Sequence, residues 1–246
     1  METSEYTKIS ELEEKHWWYA GLREKVLHDL KNNLPSAGVF KVLDAGCGTG
    51  YTLFEINKKF HGFGVDYSVD ALNFCRNRLL NRLVRADVSC LPYKNGVFDA
   101  VISLDVLYHK NVLNDKTAVC EFRRVLRPGG TLILNLPAFE FIKSNHDINI
   151  HTLRRYTRPG LKSILEKSGF NSIKTVYRNV FLFFVIAIFR LSTKFYSNTN
   201  HKRKSDLGDT NFLLNRMLLS ILRFENIIFR KIEAPFGLSV YSLARK

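Results

Sequence analysis

Apolar positions along the chain switch repeatedly between two periods. Leu22, Val26, Leu27 and Leu30 recur at helical spacing within Glu11 to Leu34, which predicts one or two helices ended by Pro35 and Gly38. Short β-rich runs follow at Phe40 to Asp44, Gly62 to Asp66, Leu83 to Asp87, Phe98 to Leu104 and Thr131 to Leu136. Helical patterns separate them at Tyr51 to about Lys59, Asp70 to Leu80 and Ala118 to Leu126, the last stopped by Arg127-Pro128-Gly129-Gly130. Val and Ile dominate the run from Phe98 to Leu104, as in a parallel strand covered on both faces. Strand alternating with helix from 40 to 136 predicts an α/β, doubly wound, mostly parallel sheet.

Beyond 136 the regularity loosens. Ala138 to Thr157 reads as a polar loop, and Arg158 to Ser168 as a helix with Pro159 near its start and Gly169 past its end. Asn171 to Tyr177 and Ser239 to Ala244 are the expected last two strands. Between them, Val180 to Phe189 is ten unbroken apolar residues stopped by Arg190, about half of what spans a bilayer. Ser197 to Asp209 is polar and basic. Phe212 to Ile232 is amphipathic, with Leu213, Met217, Ile221, Phe224 and Ile228 on one side and Arg216, Ser220, Arg223 and Arg230 on another. The expected organisation is an N-terminal helical lid (1–38), a core (39–178 and 235–246) and a helical insertion (179–234).

The 246 residues, 46% of them apolar, suit one ordinary core, and nineteen Phe with ten Tyr exclude a disordered chain. Four cysteines without a CxxC spacing argue for a reducing compartment and against a disulfide frame or a metal site. The acidic, polar first residues carry no secretory signal, so a cytoplasmic location is expected. The net charge of +14 is uneven: residues 141–246 hold 19 basic and 6 acidic side chains, residues 1–140 hold 18 and 17. An anionic partner is expected for the basic half: nucleic acid, a membrane surface or a phosphorylated substrate. A basic amphipathic helix beside an apolar one favours peripheral contact of 180–234 with an anionic membrane, at its inner face.

The most informative stretch is Val42-Leu43-Asp44-Ala45-Gly46-Cys47-Gly48-Thr49-Gly50, which leaves a strand and opens a helix. Glycines there let backbone approach a ligand and adopt positive φ. A dinucleotide fingerprint would need a small residue at 51, where the chain has Tyr51. The carboxylate of Asp44 would repel a pyrophosphate and favours a ligand with an ammonium or sulfonium group.

This stretch resembles motif I of the class I S-adenosylmethionine-dependent methyltransferases, hydrophobic-hydrophobic-Asp-x-Gly-x-Gly-x-Gly. The other markers fall in order: Asp66, 22 residues after Asp44; Ala86-Asp87-Val88; Phe98 to Ile102 running into Leu104-Asp105-Val106-Leu107-Tyr108-His109; and Leu126 to Gly130. The resemblance implies the seven-stranded Rossmann-like methyltransferase sheet and S-adenosyl-L-methionine as cofactor. It implies that Asp44, Gly46, Cys47, Gly48 and Gly50 cradle the cofactor. Asp66 with Tyr67 would hold the ribose, and Asp87 with Val88 the adenine, with Asp105 nearby.

His16-Trp17-Trp18-Tyr19-Ala20-Gly21-Leu22-Arg23 is similar to a stretch of a branch associated with cell-surface polysaccharide and lipid-linked sugar pathways. It implies a helix over the cofactor reached by Tyr19 and Arg23. The loop from His146 to Thr157 also resembles that branch. Tyr108, Arg154, Arg155 and Tyr156 are the candidate substrate contacts, and His109, His146, Asp147 and His151 the candidate bases. The expected reaction is methyl transfer to O, C or N of a small-molecule or lipid-linked acceptor. The alternatives are an RNA methyltransferase and a non-catalytic cofactor-binding scaffold. Nucleic acid is disfavoured because Leu104-Asp105-Val106-Leu107 stands where amino-methylating enzymes hold a flipped base, and no Pro-Cys pair supplies a cytosine nucleophile.

Overall fold

The structure, a computed structural model, describes residues 3–35, 38–143, 147, 151–188, 211–229 and 233–246. Seven strands form one sheet: β1 (Lys41–Ala45), β2 (His61–Asp66), β3 (Leu83–Arg85), β4 (Phe98–Leu104), β5 (Leu126–Pro137), β6 (Asn171–Arg178) and β7 (Ser239–Arg245). Their order is β3-β2-β1-β4-β5-β7-β6, and only β7 runs antiparallel to its neighbours, between β5 and β6. The helices are α1 (Thr3–Leu12), α2 (Trp17–Asn33), α3 (Tyr51–Asn57), α4 (Val69–Asn77), α5 (Asp115–Val125), α6 (Arg158–Lys167) and α7 (Phe212–Ile228).

The sheet is buried on both faces because alternate strand residues point to opposite sides. Val42, Ala100, Ile102 and Ile133 pack on Leu22, Val26 and Leu30 of α2. Leu43, Val101 and Leu134 pack on Val119 and Phe122 of α5 and Leu161 and Leu165 of α6. Strand order reverses between β1 and β4, and the crevice at such a point is where open α/β sheets bind ligands.

Several boundaries differ from the periodic reading. β3 stops at Arg85, not Asp87, because the Asp87 carboxylate turns the chain by accepting from Ser89 N at 2.7 Å. α5 starts at Asp115, three residues early, where Asn114 caps it by accepting from Thr117 N. Its polar first turn hides that start. β5 already begins at Leu126, opposite Phe98.

On α7 the apolar stripe turns outward: Leu213 is 73%, Met217 53% and Phe224 58% exposed, while Leu222 is buried. Leu222 enters a notch left by Gly21 of α2, where a Cβ would stand 2.7 Å from Leu222 Cδ1. Glu225, also buried, accepts from Asn179 N at 2.5 Å and Val180 N at 2.7 Å, capping the turn into the helical stretch 183–188. Trp17 N donates to Asn215 Oδ1 at 2.8 Å, and Arg223 pairs with Glu24. The insertion is thereby joined to the N-terminal helices. Arg190, the stretch 197–209, Arg230 and Ile232 lie outside the described residues.

Candidate active site

A cleft of about 920 Å³ opens over the carboxyl ends of β1, β2 and β4. The glycine loop forms its floor. Gly46 has φ +88°, and a side chain there would meet Val106 Cγ2 at 2.2 Å, so this glycine is demanded by packing and by backbone angle. Gly48, at φ +54°, has open space where a Cβ would be, so the loop presents no side chain to a ligand at this point. Gly50, at φ +89°, fits under Cys75 instead of facing the cleft.

Acids crowd this end, among them Asp44, Asp66, Asp87 and Asp105. Asp44 is buried, and burial, then Asp66 and Glu13, push its carboxyl up to about 8. Asp66 is also raised by burial, although its oxygens accept from Gly48 N and Ser68 N, each at 2.9 Å. Asp105 is held in a left-handed turn at φ +57° and is pushed by burial up to about 7, while Asn135 Nδ2 donates to it at 3.0 Å. Asp87 lines the same wall with Val88 and the exposed Tyr67. Burial is what raises Asp44 and Asp66, and neither has an ion-pair partner among the described contacts of the glycine loop. A sulfonium and ammonium ligand would supply one, so the donor set fits S-adenosylmethionine chemically.

The N-terminal helices roof the cleft. Tyr19 lines it, its phenol raised by burial first and Asp105 second. Arg23 lines it too, but its guanidinium donates to the carbonyls of Glu13 (2.7 Å) and Glu14 (2.8 Å) and stacks over Tyr51 at 4.5 Å. Arg23 thus ties the α1–α2 turn. Sequence reading missed Glu13 and Arg78. Glu13 accepts from Tyr51 N at 3.3 Å and pairs with Arg78 at 2.8 Å, and Arg78 also donates to Thr49 O of the glycine loop. No periodicity marks a contact 65 residues long.

At the acceptor end, Tyr108, His109, Thr152, Asp147 and Arg155 line the wall. Arg155 is almost wholly enclosed, donating from Nε and Nη2 to Asp147 at 2.9 Å each and from Nη1 to Ala138 O at 2.8 Å. Arg154 and Tyr156 do not line the cleft. Both bind Asp115, and Arg154 also donates to Val112 O, Tyr156 to Leu107 O. In this structure they brace the segment after β4. Tyr156→Phe is expected to cost about 1–3 kcal/mol of stability, read as a lower urea midpoint, with cofactor affinity unchanged.

His109 is lowered to about 4, chiefly by burial, so it is neutral at pH 7. Its Nδ1 accepts from Asn111 N at 3.2 Å, which leaves the proton on Nε2. The arrangement therefore presents a donor where the sequence led us to expect a base. His151, at φ +57°, touches His109 edge-on with ring centres 5.8 Å apart and does not line the cleft. His146 lies outside the described residues. Among the described residues no cluster of His, Cys, Asp or Glu could hold a metal ion.

Residues 43–134 match the family profile described as a methyltransferase domain. The chain carries a class I S-adenosylmethionine-dependent methyltransferase domain. The fold, class and cofactor read from the glycine loop are borne out. The methyltransferase is 33% identical over 133 residues to a Homo sapiens protein named probable tRNA methyltransferase 9B, a match covering 54% of this chain and 27% of that protein. It thus spans about a quarter of the length of the first curated relatives it matches. Its fold is that of an S-adenosylmethionine-dependent methyltransferase from Thermotoga maritima, at 18% identity and TM-score 0.61 over 99% of this chain and 95% of that one. A Haemonchus contortus phosphoethanolamine N-methyltransferase 2, solved with S-adenosylmethionine, superposes with TM-score 0.58 at 18% identity, over 91% of this chain and 52% of that one.

Proposed function

We propose that this protein transfers the methyl group of S-adenosylmethionine to a small, apolar or lipid-linked acceptor, at an O, C or N atom. The observation that carries the reading is the continuity of one cleft. Asp44, Gly48 and Asp66 stand at one end, and Trp17, Trp18, Ile186, Leu218 and Leu238 line it elsewhere. Bound there, the cofactor would supply a methyl carbon already activated by its sulfonium, with the thioether as leaving group. The chain's own work is alignment and exclusion of water. Asp44 and Asp66 orient the donor. Asp105 holds a carboxyl that ionises near neutrality and takes the proton an acceptor hydroxyl or ammonium gives up.

Asp66→Ala removes the acceptor expected for the ribose hydroxyls. It should weaken cofactor binding by about 1–2 kcal/mol, five- to thirtyfold by calorimetry; an unaltered constant would remove Asp66 from the site. Radiolabelled single-turnover transfer into a lipid extract tests the whole reading, which fails if cofactor binds and no extract fraction is labelled.

A second reading, tRNA methylation, is favoured by the tRNA methyltransferase relatives and by the basic half of the chain. Those relatives support nucleic acid more than the motifs alone do. A mobility shift with tRNA at physiological salt, together with label entering tRNA, would select it. A cytoplasmic location suits either acceptor and is part of the proposal.

A further inference from the structure

We propose that the outer face of the insertion docks on an anionic lipid bilayer, bringing the cleft mouth against the membrane. Two apolar surfaces meet there. Phe184, Val185 and Ile188 project from the segment following Glu225's cap at 56–68% exposure, and Leu213, Met217 and Phe224 project from α7. The two are joined by the Phe181 ring, which stacks on Phe224 with centres 6.2 Å apart. Solitary exposed apolar residues need no explanation, but a joined set this large marks an interaction surface.

Two observations select a bilayer as the occupant. Ile186 and Leu218 line the cleft, while Val185 and Met217 beside them in sequence face outward. The same two helical stretches therefore carry both the apolar exterior and part of the cleft wall, an arrangement suited to a lipid-borne acceptor. The charge agrees as well. The 189–210 stretch joining the two helices carries Arg190, Lys194, Lys202, Arg203 and Lys204 against Asp206 and Asp209, within a half of the chain that holds 19 basic and 6 acidic residues. Basic residues flanking an apolar face draw a protein to anionic headgroups. No described helix is long and apolar enough to cross a membrane, so contact is on one leaflet. An RNA surface would call instead for exposed basic and stacking groups at the cleft mouth.

The proposal rests on the methyl-transfer reading only for the acceptor's nature, and its test needs no methyl transfer and no acceptor. The full chain is pelleted with sucrose-loaded vesicles of phosphatidylcholine alone or mixed with phosphatidylglycerol. Binding to the mixed vesicles is expected to exceed binding to neutral ones at least tenfold and to fall with added salt. Phe184→Glu/Val185→Glu should reduce it at least tenfold while calorimetric affinity for S-adenosylmethionine stays as in the wild type. If that variant fails to fold, the wild-type salt and lipid dependence decides. Equal pelleting by wild type and folded variant overturns the proposal, as does no preference for the anionic vesicles. Light scattering showing a wild-type dimer that the variant loses, with no pelleting, assigns the face to a second copy and also overturns it. So does a tRNA shift lost in the variant without vesicle binding.

Discussion

Asp147→Ala is expected to lower the unfolding free energy by about 3–5 kcal/mol, a large share of the roughly 5–15 kcal/mol that holds a domain together. Asp147 and Arg155 are almost completely enclosed, at 1% and 4% side-chain exposure, and two parallel contacts of 2.9 Å join them. Removing the carboxylate leaves a buried guanidinium that still donates from Nη1 to the Ala138 carbonyl but has lost its counter-charge. The double change Asp147→Leu/Arg155→Leu should recover much of the loss, because no charge is then stranded. Urea titration of both variants checks this: a single-variant midpoint equal to wild type would show that the pair is not buried as described. Cofactor affinity should change little, since the pair lies at the acceptor end.

Asp44→Asn should have opposite effects on binding and stability. It removes the charge that meets the donor's cationic groups, worth about 2–3 kcal/mol, so affinity for S-adenosylmethionine falls 30- to 150-fold by calorimetry. The free protein should melt higher, because an amide is spared the cost of ionising inside the fold. Asp44 and Asp105 are raised, to about 8 and about 7, so the folded state holds protons that the unfolded chain releases near 4. Their contribution to stability is full below that ordinary value and is lost as pH rises through the folded values. The unliganded protein should therefore lose stability between pH 4 and 8. Cofactor binding, favouring ionised Asp44, should tighten over pH 6 to 8 and release a proton, seen as calorimetric enthalpies that vary with buffer. Proton-independent binding in the wild type would remove Asp44 from contact with the cation.

The cofactor end was legible from sequence because its determinants are local. Gly46 is required by its own φ and by one valine, and Asp44 and Asp66 sit at strand ends whose positions follow from the apolar runs. The acceptor end was not. Arg154 and Arg155 are adjacent and chemically identical, yet one braces Asp115 and the other closes the cleft wall with Asp147. Which does which depends on the loop's path through His151, whose positive φ no pattern announces. On α7 the apolar stripe was legible, and which way it turns in the fold was not. What decides its orientation is the notch at Gly21 and the cap supplied by Glu225, both long-range. The Glu13–Arg78 clamp was invisible for the same reason.

The position of β7 governs the order in which the molecule can be completed during synthesis. β6 pairs with β7 alone, and β7 also supplies the outer neighbour of β5, yet some sixty residues of insertion separate β6 from β7 along the chain. At about 5–20 residues per second, β5 and β6 wait several seconds on the ribosome with unpaired edges and an apolar helical stretch already emerged. The nascent chain is then at its stickiest, and a chaperone that shields sheet edges should raise the soluble yield more than one that shields helices.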